Sequence, residues 1–253
     1  MSQRVVVTAA ARGIGRAIAD RFLASGATVW GCDVDDEALG ELRAALPSVK
    51  AARCDVGDKA QVESFLAEAC KSMGGIDVLV NNAGIGGGHA AVEDVTDENW
   101  DRSLAVNLSG MFYCVRKVVP LMKAQGSGCI INISTGSVRT GLPNRLPYVA
   151  SKHGVMGLTQ NLARELGPAN IRCNAILPGL IDNPRGRALV QRAADEAGKS
   201  FEEFEADMLK YISMRTWIDP LEIGDTAVFL ASHAARHITG QFLGVCGGVE
   251  WEP

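Results

Sequence analysis

The chain reads as an α/β protein, a Rossmann-like, doubly wound parallel sheet of about seven strands flanked by helices on both faces. Three observations predict it. Short apolar β-branched runs alternate with helical-period segments through the whole chain. Val78-Leu79-Val80 and Ile130-Ile131 are apolar without interruption, as strands buried on both faces are. The first run, Val5-Val6-Val7-Thr8, turns through glycines into a helix-like segment, a junction whose backbone N–H groups face an anion such as a pyrophosphate.

In order, strands are expected at Val5–Thr8, Thr28–Asp33, Lys50–Asp55, Val78–Asn81, Cys129–Ser134, Ile171–Leu177 and Gln241–Val245. Helices are expected at roughly residues 14–25, 35–46, 58–73, 97–124, 148–167 and 220–232. Strand, helix, strand at this rhythm implies right-handed crossovers. Between Leu180 and Asp219 a long, charged, largely helical insertion breaks the rhythm. Residues 183–218 or so stand where a lid over a substrate pocket would lie.

With 253 residues the chain can bury one sizeable core, and no linker, repeat or low-complexity tract divides it, so a single domain over residues 1–253 is expected. A formal net charge of −4 lacks the basic footprint of a nucleic-acid binder. No stretch approaches ~18 uninterrupted apolar residues and no charged leader precedes Val5. The expectation is a cytoplasmic protein without nucleic-acid or membrane partners. Its seven cysteines are scattered and never form Cys-x-x-Cys, which suits buried, reduced thiols better than zinc or disulfides.

Chemistry concentrates at two places. Tyr148 and Lys152 are four positions apart in a helix-like run, hence on one face. There the lysine charge can favour the tyrosinate and make the phenol an acid or base near neutral pH. Such a pair arises by chance in many amphipathic helices; here it accompanies the turn Arg12-Gly13-Ile14-Gly15, and together they suggest a nicotinamide-dependent oxidoreductase. Asp33 ends the second strand about twenty residues past that turn, where a carboxylate bonds adenosine ribose hydroxyls and repels a 2′-phosphate. NAD is therefore expected over NADP. Arg12 points the other way, since a guanidinium can meet a 2′-phosphate, and an aspartate ending a strand is also an ordinary turn residue. Asp55 either accepts from the adenine amine or caps the next helix.

Taken together these residues resemble the short-chain dehydrogenase/reductase family along the whole chain. Thr8 to Gly15 resembles its Thr-Gly-x-x-x-Gly-x-Gly turn, Asn81-Asn82-Ala83-Gly84 its Asn-Asn-Ala-Gly strand end, and Val106-Asn107-Leu108 its catalytic asparagine. Ile131 to Ser134 leads to its hydroxyl position, Tyr148 and Lys152 match its active pair, and Pro178-Gly179-Leu180-Ile181 its segment beside the nicotinamide. Each motif is common; six in order at family spacing are specific. The resemblance implies that Tyr148 is the general acid/base and that Lys152 lowers its pKa and holds the nicotinamide ribose. It implies that Asn107 anchors a proton-relaying water, that backbone at Ile181 bonds the carboxamide, and that Asn82, Ala83 and Gly84 run under the cofactor. Asp55 and Val56 join the adenine side. It also implies a homotetramer, with helices near 97–124 and 148–167 on a four-helix face and the tail from Gly247, anchored by Trp251, at a second interface.

Four departures stand out. The first family glycine is Ala9, tolerable if its φ is negative. Asn183 replaces a threonine after the Pro-Gly segment, so an amide would make the carboxamide contact. Cys246-Gly247-Gly248 replaces Asp-Gly-Gly. The catalytic hydroxyl, usually a serine thirteen residues before the tyrosine, falls on Thr135, with Ser134 and Ser137 as rivals; strand alternation sends Ser134 to the opposite face.

The expected partner is a small-molecule alcohol or ketone. Its contacts are expected from the loop after Gly84, from residues 136–147 and from the insertion. Arg139, Arg145, Arg185 or Arg187 could clamp an anionic group, with a wet surface or a subunit contact as the ordinary alternative for each, and Asn144 shares their segment. His89 reads as a loop histidine. Met208, Tyr211, Met214 and Trp217 either line the pocket or seat the lid. An NADP-dependent carbonyl reductase and a non-catalytic dinucleotide scaffold are the alternatives. A scaffold would have lost Tyr148, Lys152 or Asn107, and enoyl reductases carry a wider Tyr-to-Lys spacing.

Overall fold

The computed structural model describes residues 2–249; Trp251 and the end of the tail lie outside them. Seven parallel strands form one sheet in the order β3-β2-β1-β4-β5-β6-β7, with β1 Arg4–Thr8, β2 Thr28–Asp33, β3 Lys50–Arg53, β4 Val78–Asn81, β5 Gly128–Ile133, β6 Ile171–Pro178 and β7 Phe242–Val245. The order reverses between β1 and β4, and the crevice beyond the carboxyl ends of those strands is where such sheets place a ligand. β3 ends two residues earlier than the sequence suggests: the Asp55 carboxylate accepts from Gly57 N at 2.9 Å and pairs with Arg102 at 2.8 Å, turning the chain out of the sheet.

Helices cover both faces. On one, α1 (Gly13–Ala24), α2 (Asp36–Ala45) and α10 (Pro220–Ala231) pack through Ile18, Phe22, Leu39, Leu42, Ile223 and Leu230. On the other, α3 (Lys59–Met73), α5 (Gly110–Gln125) and α7 (Leu146–Leu166) pack through Phe65, Leu66, Val118, Met122 and Leu166. Val5 and Val7 face the first cluster and Val6 the second, the alternation of a strand buried on both sides. The helix expected at 97–124 is instead α4 (Asp97–Leu104), a wide π-helical turn over Ala105–Ser109, and α5. A short α6 (Ser137–Thr140) precedes α7, and the insertion folds as α8 (Pro184–Ala197) and α9 (Phe201–Leu209). All seven cysteines are unpaired and six are buried. Among the described residues no helix is long and apolar enough to cross a membrane.

Candidate active site

The glycine turn is built by close approach. A side chain on Gly15 would collide with the Ala9 carbonyl and the Asn82 amide, so only glycine lets the start of α1 meet the end of β1. Gly13 takes φ +55°. Ala9 takes φ +50°, not the negative φ under which its methyl would be free of strain, so an alanine occupies a left-handed position that suits glycine. The Thr8 hydroxyl accepts from the amides of Asn82 and Ala83 at 2.9 and 3.0 Å, and the Asn82 amide donates to the carbonyls of Thr8 and Ala9. The two loops at the sheet reversal are thus one unit, with Gly84 continuing it. Val56 is buried beside Ala83 and Val106.

Asp33 Oδ2 accepts from Ala11 N at 3.2 Å and Oδ1 from Val34 N and Asp35 N at 2.8 and 3.3 Å, which leaves a lone pair on Oδ2 for a further donor. The Arg12 guanidinium lies 3.7 Å from Asp35 and 3.6 Å from Glu41, its charge facing two carboxylates. Asp55 is not the cap of α3; Asp58 is, accepting from Ala60 and Gln61.

Tyr148 and Lys152 stand one turn apart in α7, with the Lys152 Nζ 6.0 Å from the Tyr148 ring centre. Lys152 is 3% exposed and donates to the Ile133 carbonyl at 2.8 Å. Burial, with the nearby charge of Arg185, pulls its pKa down to about 8. Asn107 is buried inside the π turn, where its amide exchanges hydrogen bonds with the Ile85 backbone, 2.8 Å from Ile85 N and 3.0 Å to Ile85 O. The extra residue of the wide turn is held by these bonds. Lys152 Nζ and Asn107 Oδ1 lie 3.3 and 3.4 Å from the point where a side-chain carbon on Gly84 would sit, so a cradle for a polar ligand edge opens there. Asn107 also donates to Ser151 Oγ at 3.0 Å, and Ser151 donates to the Tyr148 carbonyl at 2.7 Å. Ser151 is the residue sequence reasoning missed; its place three positions after Tyr148, on the same helical face, was the available signal.

Ser134 donates to the Lys152 carbonyl at 3.2 Å and is buried. Ser134 and Thr135 both follow the end of β5 at Ile133, beyond the strand alternation expected of them, and the Thr135 hydroxyl accepts from Ser137 N and meets Ser137 Oγ, both at 3.3 Å. On the far side Pro178 is buried and Gly179 N donates to Val245 O. Ile181 bridges Ile218, and its carbonyl accepts from Asn183 N at 3.0 Å. Asn183 caps α8, accepting from Gly186 N at 2.7 Å, and its amide nitrogen is 3.6 Å from the carbon a side chain on Gly13 would carry.

The candidate arginines separate. Arg187 is paired with Asp182 at 2.8 Å over the Trp217 ring, and Arg139 lies by Gly244. Arg145 and Arg185 come together beside Tyr148. Asn144 takes φ +60° and its carbonyl accepts from Ala90 N. His89 faces Glu196 of α8 at 3.9 Å. Trp217 donates to Glu205, while Tyr211 is exposed and Met214 is 71% exposed. Trp217 thus seats the insertion.

The family described as Enoyl-(Acyl carrier protein) reductase matches residues 8–250. A 3-oxoacyl-(acyl-carrier-protein) reductase of Thermotoga maritima is 36% identical over 248 residues, 96% of each chain. Among solved structures, an actinorhodin polyketide ketoreductase with NADPH is similar at TM-score 0.92 and 33% identity, over 99% of this chain and 98% of that one. An NAD+-bound xylitol dehydrogenase is similar at TM-score 0.91 and 30% identity, over 97% and 98%. Sheet order, glycine turn and full-length likeness agree: the chain belongs to the short-chain dehydrogenase/reductase family.

Proposed function

We propose that the protein interconverts a secondary alcohol and a ketone, with Tyr148 as the general acid/base. The observation that carries this is the buried Lys152 ammonium one helical turn from Tyr148, sharing with Asn107 a cradle at Gly84. A bound nicotinamide supplies the hydride acceptor or donor. A free phenol, with a pKa near ~10, is too weak a base at pH 7, and a cation beside it favours the tyrosinate. In oxidation the carbinol hydrogen leaves as hydride and the hydroxyl proton passes to the Tyr148 oxygen. In reduction Tyr148 returns that proton. The Thr135 hydroxyl donates to the developing alkoxide, Lys152 holds the nicotinamide ribose, and Asn107 with Ser151 keeps the proton path from Lys152 in place.

The residues fit a dinucleotide. Arg12, Gly13, Ile14 and Gly15 present backbone N–H groups at the start of α1. Asn82, Ala83 and Gly84 floor the cleft, Asp55 and Val56 flank the adenine side, and Pro178, Gly179, Ile181 and Asn183 flank the nicotinamide. NAD is the preferred cofactor: Asp33 offers a carboxylate to the ribose, and Arg12 already faces Asp35 and Glu41 rather than standing free for a 2′-phosphate. The insertion acts as a lid, the assembly is a homotetramer, and the unpaired thiols suit a reducing cytoplasm.

A second reading, NADP-dependent reduction of a carrier-bound ketoacyl thioester, is favoured by what the Thermotoga maritima relative is named for. Steady-state assays with NAD and NADP against sugars, polyols, hydroxy acids, steroids, cyclic alcohols and a ketoacyl thioester, with Tyr148→Phe alongside, test both. Near-normal turnover by Tyr148→Phe would overturn the mechanism.

A further inference from the structure

We propose that Arg145 and Arg185 form an anion clamp at the substrate end of this cleft, so that the substrate is a small alcohol or ketone with a carboxylate, sulfonate or phosphonate a few bonds from the reacting carbon. The proposal rests on the oxidoreductase reading and narrows it to a substrate class.

Convergence is the first argument. The two side chains come from different elements, Arg145 from the N-cap of α7 and Arg185 from the first turn of α8. Their Nη2 atoms nevertheless lie 2.7 and 3.4 Å from one point, the position of a side-chain carbon on Gly86. Gly86 leaves that point empty; a side chain there would press on the Arg145 guanidinium and touch that of Arg185.

Aim is the second. Arg145 donates to the Gly86 carbonyl through Nε and Nη2, at 3.1 and 2.9 Å. That edge is spent on backbone, so the terminal Nη1–Nη2 fork, the edge that grips a carboxylate with two parallel bonds, remains. Arg185 donates to the Gly84 carbonyl at 3.4 Å, which tethers it over the same loop. Holding both groups before a ligand arrives lowers the ordering cost of binding.

The third argument is charge without a partner. Neither arginine has a carboxylate within ion-pair distance among the described residues, whereas Arg187, on the same helix as Arg185, is satisfied by Asp182. Arg145 is half-buried, and burial weakens its protonated form; the charges of Arg185 and Arg192 add to this, and that of Tyr148 opposes it. A half-buried guanidinium beside a second, exposed one is a place where a bound anion would offset both charges.

Position is the fourth. The Arg145 guanidinium carbon is 5.4 Å from the centre of the Tyr148 ring, so an anion held on the fork sits close to the carbon whose oxygen Tyr148 addresses. A ketoacyl thioester places neutral atoms there, and covering a guanidinium with neutral acyl chain removes water without replacing its hydrogen bonds.

The test has a binding arm and a turnover arm. Malonate is titrated calorimetrically into the NAD-loaded protein, with dimethyl malonate as the uncharged control. Malonate should bind and the diester should not. Affinity should fall about 10- to 100-fold in Arg145→Gln and in Arg185→Gln, and stay unchanged in Arg187→Gln. Arg185 is exposed, so Arg185→Gln carries the conclusion if Arg145→Gln melts early. In turnover, acetoacetate, 2-oxopropylphosphonate and 2-oxopropanesulfonate distinguish the anion classes, and methyl acetoacetate and an acetoacetyl thioester serve as neutral rivals. At least one anion should be reduced more efficiently than both rivals, and the ratio should collapse in the Arg145 and Arg185 variants. No malonate binding, equal weakening by Arg187→Gln, or a wild-type preference for ester or thioester would overturn the clamp. Ester turnover without malonate binding overturns the clamp alone. Malonate binding that depends on Arg145 and Arg185, with no turnover of any compound by either cofactor, upholds the clamp as an anion site and overturns the oxidoreductase reading.

Discussion

The Lys152 ammonium donates to the carbonyl of Ile133, the last residue of β5, at 2.8 Å, in a place almost without solvent. A charge held there costs the fold something that a neutral lysine does not. The pKa near 8 lies below the ordinary 10.5, so between those values the unfolded chain binds a proton that the folded chain has released. Stability of the cofactor-free protein therefore rises with pH from about 8 to 10.5, and the whole penalty is present below 8. Relative to Lys152→Met, which lacks this titration, the wild type should gain on the order of 2–4 kcal/mol across that window. Urea melts of both proteins at each pH check it; parallel pH profiles would contradict it.

Thr135 and Ser134 should separate cleanly on substitution. Thr135→Ala should lower kcat by about 10²–10³ with little change in melting temperature, because it removes the hydroxyl proposed to donate to the alkoxide. Thr135→Ser should be mild. Ser134→Ala, which strips a buried bond to the Lys152 carbonyl, should cost about 0.5–1.5 kcal/mol of stability and leave kcat within a few-fold. The reverse ranking would exchange their roles.

Asp33→Ala should narrow the preference for NAD over NADP, chiefly by raising the KM for NAD. The carboxylate's repulsion of a 2′-phosphate amounts to about 1–3 kcal/mol in a half-exposed site. Equal or better use of NADP by the wild type would reverse the cofactor assignment.

Ala9→Gly should stabilise the cofactor-free protein. Relief of the left-handed alanine is worth about 1–2 kcal/mol, offset by about 0.4–1 kcal/mol from the freer unfolded chain. A net gain of some tenths to about 1 kcal/mol is expected in chemical denaturation, with Ala9→Val moving the other way. A loss of stability in the glycine variant would mean that the methyl's packing outweighs its strain.

Much of this was legible in the residues. Apolar runs marked the central strands β1, β4, β5 and β6, because a sheet buried on both faces tolerates little else, while the edge strands β3 and β7 are partly exposed. Three things were hidden for physical reasons. Helical periodicity cannot report one extra residue in a turn, so the segment 97–124 read as continuous although Asn107 sits in a π turn. Strand pattern gave Asp55 to β3, whereas a side-chain bond to Gly57 and a distant pairing to Arg102 decide where the strand stops. Arg187 and Arg185 were equivalent in sequence, and only Asp182 tells them apart.

The wide turn at Ala105–Ser109 gives the chain a fragility that no packing inventory reveals. Asn107 reaches Ile85 because the helix carries one residue more than its pitch needs. Deleting one residue of that turn other than Asn107 would let an ordinary helix form, with backbone bonding complete and both neighbouring faces still able to pack. The amide would then rotate off its target by roughly 100°. If Asn107 keeps the proton path as proposed, such a deletion should yield a folded protein that has lost turnover. The proposed chemistry depends on one extra residue preserved in the register of a helix.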